Sequence, residues 1–422
     1  MHRFPKAFII IVLLLCCVPG YADWAVDDLW YSGVSENDEL VSVQVKSPVT
    51  KLVTSVKVPS NIYIADDGYK KYYQVRSVGY RAFVDCLVLT SVTFASKNVS
   101  EIGEQAFSGC VKLTSISIPP SVKEIKSYTF YECRNLTEVV LSDSLRSIAG
   151  NAFKGCSKLK NIIFPNQLSS VGANAFNGCS NLITVKMNGG LKEIGIGSFQ
   201  NCLRLSSLEI SPVLNSIGRS AFEGCEALTA VTFPLNVSYI GDRAFYGCTG
   251  LSEAVFQPSK VKVSIRSQLF EGCVNLAQVF MTDNVFRIYE RAFYGCAKLS
   301  AVTLPASISA IGASAFEGCV ALDTVKSYIA NPFALAERVF ENISPNCVLM
   351  VPYGEKQRYI EAGWTTEVFK GGVVEMNAPE GIQDVVVSRQ EEGTWYTVDG
   401  IKVDAPQHGK IYIHNRKSVL VK

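Results

Sequence analysis

Cysteine recurs along most of this chain at a nearly constant interval, and that interval limits the possible fold more than any other feature. Between residues 86 and 319, eight of the ten gaps from one cysteine to the next are 23 residues, and the other two are 24 and 25. The series is Cys86, Cys110, Cys133, Cys156, Cys179, Cys202, Cys225, Cys248, Cys273, Cys296 and Cys319. A period of roughly 20 to 50 residues is typical of stacked structural units. The interval therefore predicts eleven repeats of one coil rather than one compact core.

Each cysteine lies at the centre of a longer apolar pattern. A leucine follows every cysteine by three residues, from Leu89 to Leu322, and a β-branched or aliphatic residue usually follows three positions later. A phenylalanine precedes every cysteine by three residues: Phe83, Phe107, Phe130, Phe153, Phe176, Phe199, Phe222, Phe245, Phe270, Phe293 and Phe316. We expect these side chains to point inward in every coil.

The order of residues within a repeat predicts its local structure. After the leucine, apolar and polar residues alternate, which indicates a short strand with one inward and one outward face. Proline often follows, as in Phe233-Pro234, and ends the strand because it lacks a backbone N–H. The Ile-Gly step is interpreted as a corner, and Ala-Phe as the start of a second inward segment. One coil cannot bury its own apolar face, so the coils should stack into a solenoid with one parallel strand ladder.

The two irregular gaps are interpreted as surface insertions. The 25-residue gap comes from two extra residues between Phe256 and Ile265, which predicts a bulge around 257–260. The 24-residue gap reflects one extra residue near 96–98. Insertions in solenoids are placed in loops, so neither should interrupt the core.

The full pattern, Ala-Phe-x-Gly-Cys-x-x-Leu-x-x-Val-x-Phe-Pro-x-x-Val-x-x-Ile-Gly, resembles the BspA-like leucine-rich repeat of surface proteins from Gram-negative anaerobes. Residues 221–248 and 293–319 follow it almost position for position, and the resemblance extends over about 75–345. It implies a leucine-rich repeat solenoid, mostly β, with short irregular or helical turns. It also implies a role in adhesion or protein–protein interaction at the cell surface.

The same resemblance and the sequence pattern suggest a division of the chain. Residues 23–80 are expected to form an N-terminal cap, 81–345 the solenoid, and 346–370 a C-terminal cap, because open solenoid ends would expose apolar side chains. A linker follows at 371–381. Residues 382–422 are expected to form a small β tail, which is similar to a bacterial sorting domain.

The first 22 residues have the features of a secretory signal peptide. A basic start at Arg3 and Lys6 precedes an apolar run from Phe8 to Val18, and a small residue, Ala22, ends a cleavage motif. The run is too short to cross a bilayer, which takes about 20 residues. We expect secretion or attachment to the outer surface of a Gram-negative cell, with no transmembrane span. With 40 basic and 38 acidic residues, a nucleic-acid partner is not expected.

The cysteine series has three possible interpretations. Disulfides suit an exported protein, but eleven is an odd number, and equivalent positions in regular coils cannot pair without distortion. Metal binding would require clustered thiols. We therefore favour a column of buried free thiols that act as small apolar groups. Cys347 lies outside the series and is the thiol whose reactivity should be tested.

Catalysis finds little support in the sequence. The histidines are His2, His408 and His414, so the repeats contain no imidazole for a Ser-His-Asp, Cys-His or metal site. No cofactor is expected, and an enzyme with its site in a cap or in the tail remains a remote alternative. Binding is the favoured function. A glycan-binding accessory protein for nutrient capture is the alternative to a protein-binding one.

The outward residues of the predicted strands should form one column, which is the candidate binding face. It comprises Thr93, Ser117, Val140, Ile163, Lys186, Glu209, Thr232, Val255, Phe280, Thr303 and Lys326. Phe280 has two interpretations: it packs under the insertion before it, or it contacts a ligand. Candidate partners are host extracellular-matrix or mucosal proteins, another bacterial surface, or a glycan.

Overall fold

The computed structural model describes residues 23–26, 28–36, 39–66, 69–95, 97–377, 395–397, 402–403, 411–414 and 417–420. The expected signal peptide, residues 1–22, lies outside these ranges. The N-terminal part contains β1 (Asp23–Val26), β2 (Leu29–Glu36), β3 (Glu39–Pro48), β4 (Ser55–Val58), β5 (Asn61–Asp66) and β6 (Tyr69–Val78).

The repeats contain β7 (Ser91–Phe94), β8 (Glu101–Ile102), β9 (Ser115–Ser117), β10 (Glu124–Ile125), β11 (Glu138–Val140), β12 (Ser147–Ile148), β13 (Asn161–Phe164), β14 (Ser170–Val171), β15 (Thr184–Met187), β16 (Glu193–Ile194), β17 (Ser207–Glu209), β18 (Ser216–Ile217), β19 (Ala230–Phe233), β20 (Tyr239–Ile240), β21 (Glu253–Phe256), β22 (Val263–Ile265), β23 (Gln278–Phe280), β24 (Val285–Ile288), β25 (Ala301–Leu304) and β26 (Thr324–Ser327). The C-terminal part contains β27 (Val348–Val351), α1 (Lys356–Glu361), β28 (Gly372–Glu375), β29 (Trp395–Thr397), β30 (Lys402–Val403), β31 (Ile411–His414) and β32 (Lys417–Leu420).

The described repeats form a solenoid with two parallel strand ladders. The longer strands make four consecutive parallel sheets, β4-β7-β9-β11, β13-β15-β17, β19-β21-β23 and β25-β26-β27-β28. The solenoid and its parallel ladder, predicted from the 23-residue period, are confirmed. This long-strand ladder also extends past the cysteine repeats at both ends, through β4 and through β27 and β28.

The Ile-Gly step differs from the prediction. Its isoleucine or valine does not form a corner but ends a two-residue strand, and these short strands pair into a second parallel ladder, β10-β12-β14-β16-β18-β20. Neighbouring strands of this ladder share two residue pairs, as Glu124 and Ile125 do with Ser147 and Ile148. The short strand β8, which precedes this ladder, pairs with β6 of the N-terminal sheet, whose order is β1-β2-β3-β6-β5.

A column of phenylalanine rings forms the centre of the solenoid. Twelve rings, from Phe83 to Phe340, stack on one another with centroids 5.0–5.8 Å apart, and we number the coils 1 to 12 by these rings. The widest step, 5.8 Å with a 26° tilt, joins Phe245 to Phe270 across the two-residue insertion. The insertion therefore loosens the stack locally without interrupting it.

The cysteine thiols form a second column beside the rings. Each thiol from Cys110 to Cys319 donates a hydrogen bond to the backbone carbonyl of the phenylalanine one coil earlier, at 3.1–3.3 Å. The same carbonyl also accepts the N–H of the cysteine in its own coil, as Phe107 does from Cys110 at 3.2 Å. A cysteine side chain is small enough to be buried here and donates a hydrogen bond to this carbonyl. A valine side chain has no donor.

Three chains of hydrogen-bonded peptide groups run beside the phenylalanine segment. In coils 1 to 11, the N–H groups of the phenylalanine and of the residues two before and two after it donate to carbonyls of the following coil. At the step from coil 2 to coil 3, Gln105, Phe107 and Gly109 donate to the carbonyls of Ser127, Thr129 and Tyr131. All eleven steps repeat this pattern, with N···O distances of 2.7–3.2 Å.

Aromatic residues of the C-terminal part close the last coil. Trp364 and Phe369 pack against Phe340, with ring centroids 6.0 and 5.0 Å away. Trp364 donates its indole N–H to the carbonyl of Phe333 at 2.7 Å, and the buried Tyr359 hydroxyl donates to the carbonyl of Ile329 at 2.9 Å. These contacts replace the coil that would otherwise follow.

The described strands of the tail form an antiparallel sheet in the order β30-β29-β31-β32. This confirms the small β tail predicted after the solenoid. Its predicted Asp-Gly turn, residues 399–400, lies outside the described residues. In the described part of the chain, no helix has the length and apolar character needed to cross a membrane.

Candidate interaction surface

The outward side of the long-strand ladder is the candidate surface, and we call it the strand face. In each strand the inward residue is buried and the next residue points away from the core, as in β13, where Ile162 is buried and Ile163 is exposed. Parallel pairing places equivalent residues side by side: Ile163 lies opposite Lys186, and Lys186 opposite Glu209. The pairing likewise aligns Thr232 with Val255 and Val255 with Phe280, and Thr303 with Lys326.

The structure therefore places every predicted member of the column at an equivalent position of the strand face. Lys326 and Val255 are half-buried, and the other members are exposed. Residues that the sequence analysis did not include continue the column at both ends: Lys57 in β4, and Met350 and Val374 in β27 and β28. These strands carry no cysteine repeat, so only the apolar alternation around Val56 and Leu349 could have identified them.

Three of the exposed side chains are large and apolar. Val140 is 51% exposed, Ile163 is 60% exposed and Phe280 is 50% exposed. Val140 and Ile163 occupy equivalent positions in consecutive coils, and Phe280 lies beside the half-buried Val255. The strand face thus carries two apolar pads, Val140–Ile163 and Val255–Phe280, separated by the polar coils between them.

The polar residues between the pads are largely paired with each other. The Lys186 ammonium lies 3.4 Å from the Glu209 carboxylate, and both side chains are about half exposed. An exposed pair of this kind contributes at most about 1 kcal/mol of stability. The pair therefore contributes little to the stability of the fold, and its main effect is on the charge distribution of the strand face.

Phe280 has two interpretations, packing under the insertion or contact with a ligand. Half of its side chain remains accessible. In the insertion, the Ser259 hydroxyl donates a hydrogen bond to the carbonyl of Leu235 in the preceding coil. Phe280 is consequently available for contact with another molecule.

Buried thiols recur at one position of every coil from Cys86 to Cys319. Cys347 and the eleven cysteines of the series are all free and buried. Burial raises the pKa of the Cys110, Cys248 and Cys319 thiols to about 12. Burial also raises the pKa of Cys347 to about 12, with the nearby Asp323 adding to the effect. Within the described residues, no group of three or more His, Cys, Asp or Glu side chains could hold a metal ion.

We expect none of these twelve thiols to react in the folded protein. Alkylation requires the thiolate and access to the sulfur, and burial removes both. Iodoacetamide at pH 8.5 should leave each of the twelve cysteine peptides unmodified, as followed by mass spectrometry, whereas the same treatment in urea should modify all of them. Rapid native modification of Cys347 would show that the C-terminal end opens readily.

Comparisons with known proteins agree with this architecture. The model of the family described as "BspA type Leucine rich repeat region" matches in six copies, over residues 72–182, 147–264 and 263–349. No curated protein matches the chain.

Several solved structures are similar. A leucine-rich repeat protein from Bacteroides ovatus is 25% identical, with 84% of this chain and 100% of that chain covered and a TM-score of 0.48. A leucine rich cell surface protein from Faecalibacterium prausnitzii is 23% identical, with coverage of 72% and 94% and a TM-score of 0.42. The pneumococcal vaccine antigen PcpA is 16% identical, with coverage of 84% and 97% and a TM-score of 0.45.

Proposed function

The chain belongs to the BspA-type leucine-rich repeat family, and on that premise we propose that it is a binding protein whose strand face contacts another protein at the bacterial cell surface. Proteins of this fold present side chains from a regular scaffold, and the chain is proposed to act by binding without catalysis. The proposed location is outside the cell or on its outer surface. This follows from the signal-like first 22 residues and from the family.

The exposed apolar pads of the strand face carry this proposal. An isolated exposed apolar side chain is common on soluble proteins, but apolar side chains aligned on a rigid surface are typical of contact sites. Phe280 is a suitable anchor because burying an aromatic ring contributes more than burying most other side chains. Its strand is held by a parallel neighbour, so little conformational entropy is lost on binding.

We propose host extracellular-matrix or mucosal proteins as the partner class, with another bacterial surface as the second possibility. The balance of charge on the chain, +2 overall, supports a partner recognised by shape and apolar contact. Long-range electrostatic attraction would require a larger charge of one sign.

The test is a binding measurement with a matched pair of variants. The full chain should bind immobilised fibronectin or fibrinogen, and Phe280→Asp should lower the affinity about tenfold or more. The control is Ile196→Asp, because Ile196 is 57% exposed but lies beside the short-strand ladder. Its affinity should equal that of the unchanged protein.

Two outcomes would contradict the proposal. Equal loss of affinity in both variants would place the contact elsewhere or indicate a general effect of charge. Binding to a glycan array, with no protein bound from mucosal extract, would support the glycan-binding alternative instead.

A further inference from the structure

The three chains of hydrogen-bonded peptide groups end without a partner at coil 12. In coil 11, Ser314, Phe316 and Gly318 donate to carbonyls of coil 12 at 2.9, 2.8 and 2.9 Å. The equivalent N–H groups of coil 12 belong to residues 338, 340 and 342. Within the part of the chain that the structure describes, none of these three N–H groups has an acceptor.

The C-terminal aromatic residues cover the Phe340 ring of coil 12 but not the edge formed by its three unpaired N–H groups. Trp364 and Phe369 pack on the Phe340 ring, and β28 continues the long-strand ladder. A cavity of about 480 Å³ remains beside the phenylalanine segment, lined among others by Ala336, Ile343 and Val368. The unpaired N–H groups belong to residues that line it.

The geometry of the donors determines what they can bind. They occur at alternate residues along one edge, and the carbonyls of the intervening residues already accept hydrogen bonds from coil 11. The edge therefore offers donors alone. The aligned peptide dipoles of the preceding coils also make this end electropositive, as at the N-terminus of an α-helix.

The side chains around the edge disfavour a free anion. Arg338 is already engaged by the Glu317 and Glu341 carboxylates. Lys370 and Glu367 both line the cavity, so the charge of this lysine is offset by a carboxylate of the same lining. A row of neutral acceptors at a two-residue spacing fits better. A peptide folded like the phenylalanine segments, with left-handed residues such as Ser314 and Gly318 on either side of the phenylalanine, presents alternate carbonyls along one side.

We propose that this edge, residues 338–342 with the cavity beside it, binds a peptide segment of a partner protein that adopts the turn conformation of the phenylalanine segments. The segment takes the place of a thirteenth phenylalanine segment and accepts three backbone hydrogen bonds. The same three backbone hydrogen bonds join every pair of consecutive coils from coil 1 to coil 12. The site is separate from the strand face and does not depend on the function proposed for it.

A second copy of the chain fits this edge less well. Coil 1 does present complementary carbonyls, those of Tyr80, Ala82 and Val84, which have no donor among the described residues. However, β4 lies beyond coil 1 in the long-strand ladder, and β28 lies beyond coil 12. Head-to-tail stacking would require both of these layers to occupy the same space.

Amide hydrogen exchange of the full chain, followed by NMR, tests the proposal. Without ligand, the amides of residues 338, 340 and 342 should exchange about 100-fold faster than those of residues 314, 316 and 318. The probe is a synthetic peptide with the sequence of residues 311–318, which carries the required alternating carbonyls. At millimolar concentration it should slow the three amides about tenfold.

A matched pair of variants locates the effect. Ala336→Trp places a bulky side chain in the cavity and should abolish the slowing, whereas Ala173→Trp, at an exposed alanine of a central coil, should preserve it. Three results would overturn the proposal: no slowing with the peptide, equal slowing with inorganic phosphate, or slowing that follows self-association in sedimentation. Protection of the three amides in the unliganded protein would overturn its premise.

Discussion

Replacing Phe199 with alanine is expected to lower the free energy of unfolding by about 3–5 kcal/mol. The ring is fully buried near the middle of the column, 5.3 Å from Phe176 on one side and 5.3 Å from Phe222 on the other. It also approaches Phe164 at 6.4 Å. Truncation removes the contacts with both neighbours and leaves a cavity that three coils enclose.

The substitution should destabilise the whole array, because each coil is stabilised mainly by the coils on either side. Urea unfolding followed by circular dichroism should show a lower midpoint. Unfolding in two steps is also expected if the two halves separate at the defect. The control is Ile196→Ala, which truncates a side chain that is 57% exposed and should change stability by less than about 0.5 kcal/mol. A change below about 1 kcal/mol for Phe199→Ala would mean that the ring column does not hold the coils together.

Replacing Gly218 with alanine is the second large effect, and here the cause is a clash rather than a cavity. A Cβ at this position would lie 2.5 Å from the carbonyl carbon of Gly195 and 2.6 Å from the nitrogen of Ile196. Both are backbone atoms of the preceding coil, held by the short-strand ladder. The coils would have to separate locally, and we expect a cost of about 1–3 kcal/mol.

Gly189→Ala provides the matched control. An added Cβ there meets nothing within 4 Å, so the substitution should be neutral, or stabilising by about 0.4–1 kcal/mol through the unfolded chain. The two variants share the same chemical change and differ only in how closely the preceding coil approaches. Equal stabilities in thermal and urea unfolding would contradict the steric interpretation. Lys126 and Ala149 occupy the equivalent position in coils before the glycine run, so the cost is expected to depend on the coil.

The strict spacing of phenylalanine, cysteine and leucine made the solenoid predictable. A residue that recurs every 23 positions must occupy the same site in every coil, and Phe107 and Phe130 do stack with nearly parallel rings. The twelfth coil was harder to recognise because Phe340 is followed three residues later by Ile343 instead of cysteine. A search for phenylalanine spacing alone would have found it, 24 residues after Phe316.

The sequence predicted which residues belong to the strand face but not how exposed each side chain is. Alternation along each strand identified Ile163 and Phe280 as outward residues, because side chains of a strand alternate between its two faces. Their exposure depends on what neighbouring segments cover. Phe280 is half exposed, and no local pattern in the sequence predicts that exposed fraction.

The amino-acid sequence by itself determined the coil, its period and its inward residues, since these depend on side-chain type at fixed spacing. Only the tertiary structure decided where the stack ends and what its ends expose. The donors of coil 12 are backbone groups, identical in chemistry to those of every other coil. They differ from them only because the described part of the chain places no acceptor above them, and that depends on how the chain is assembled.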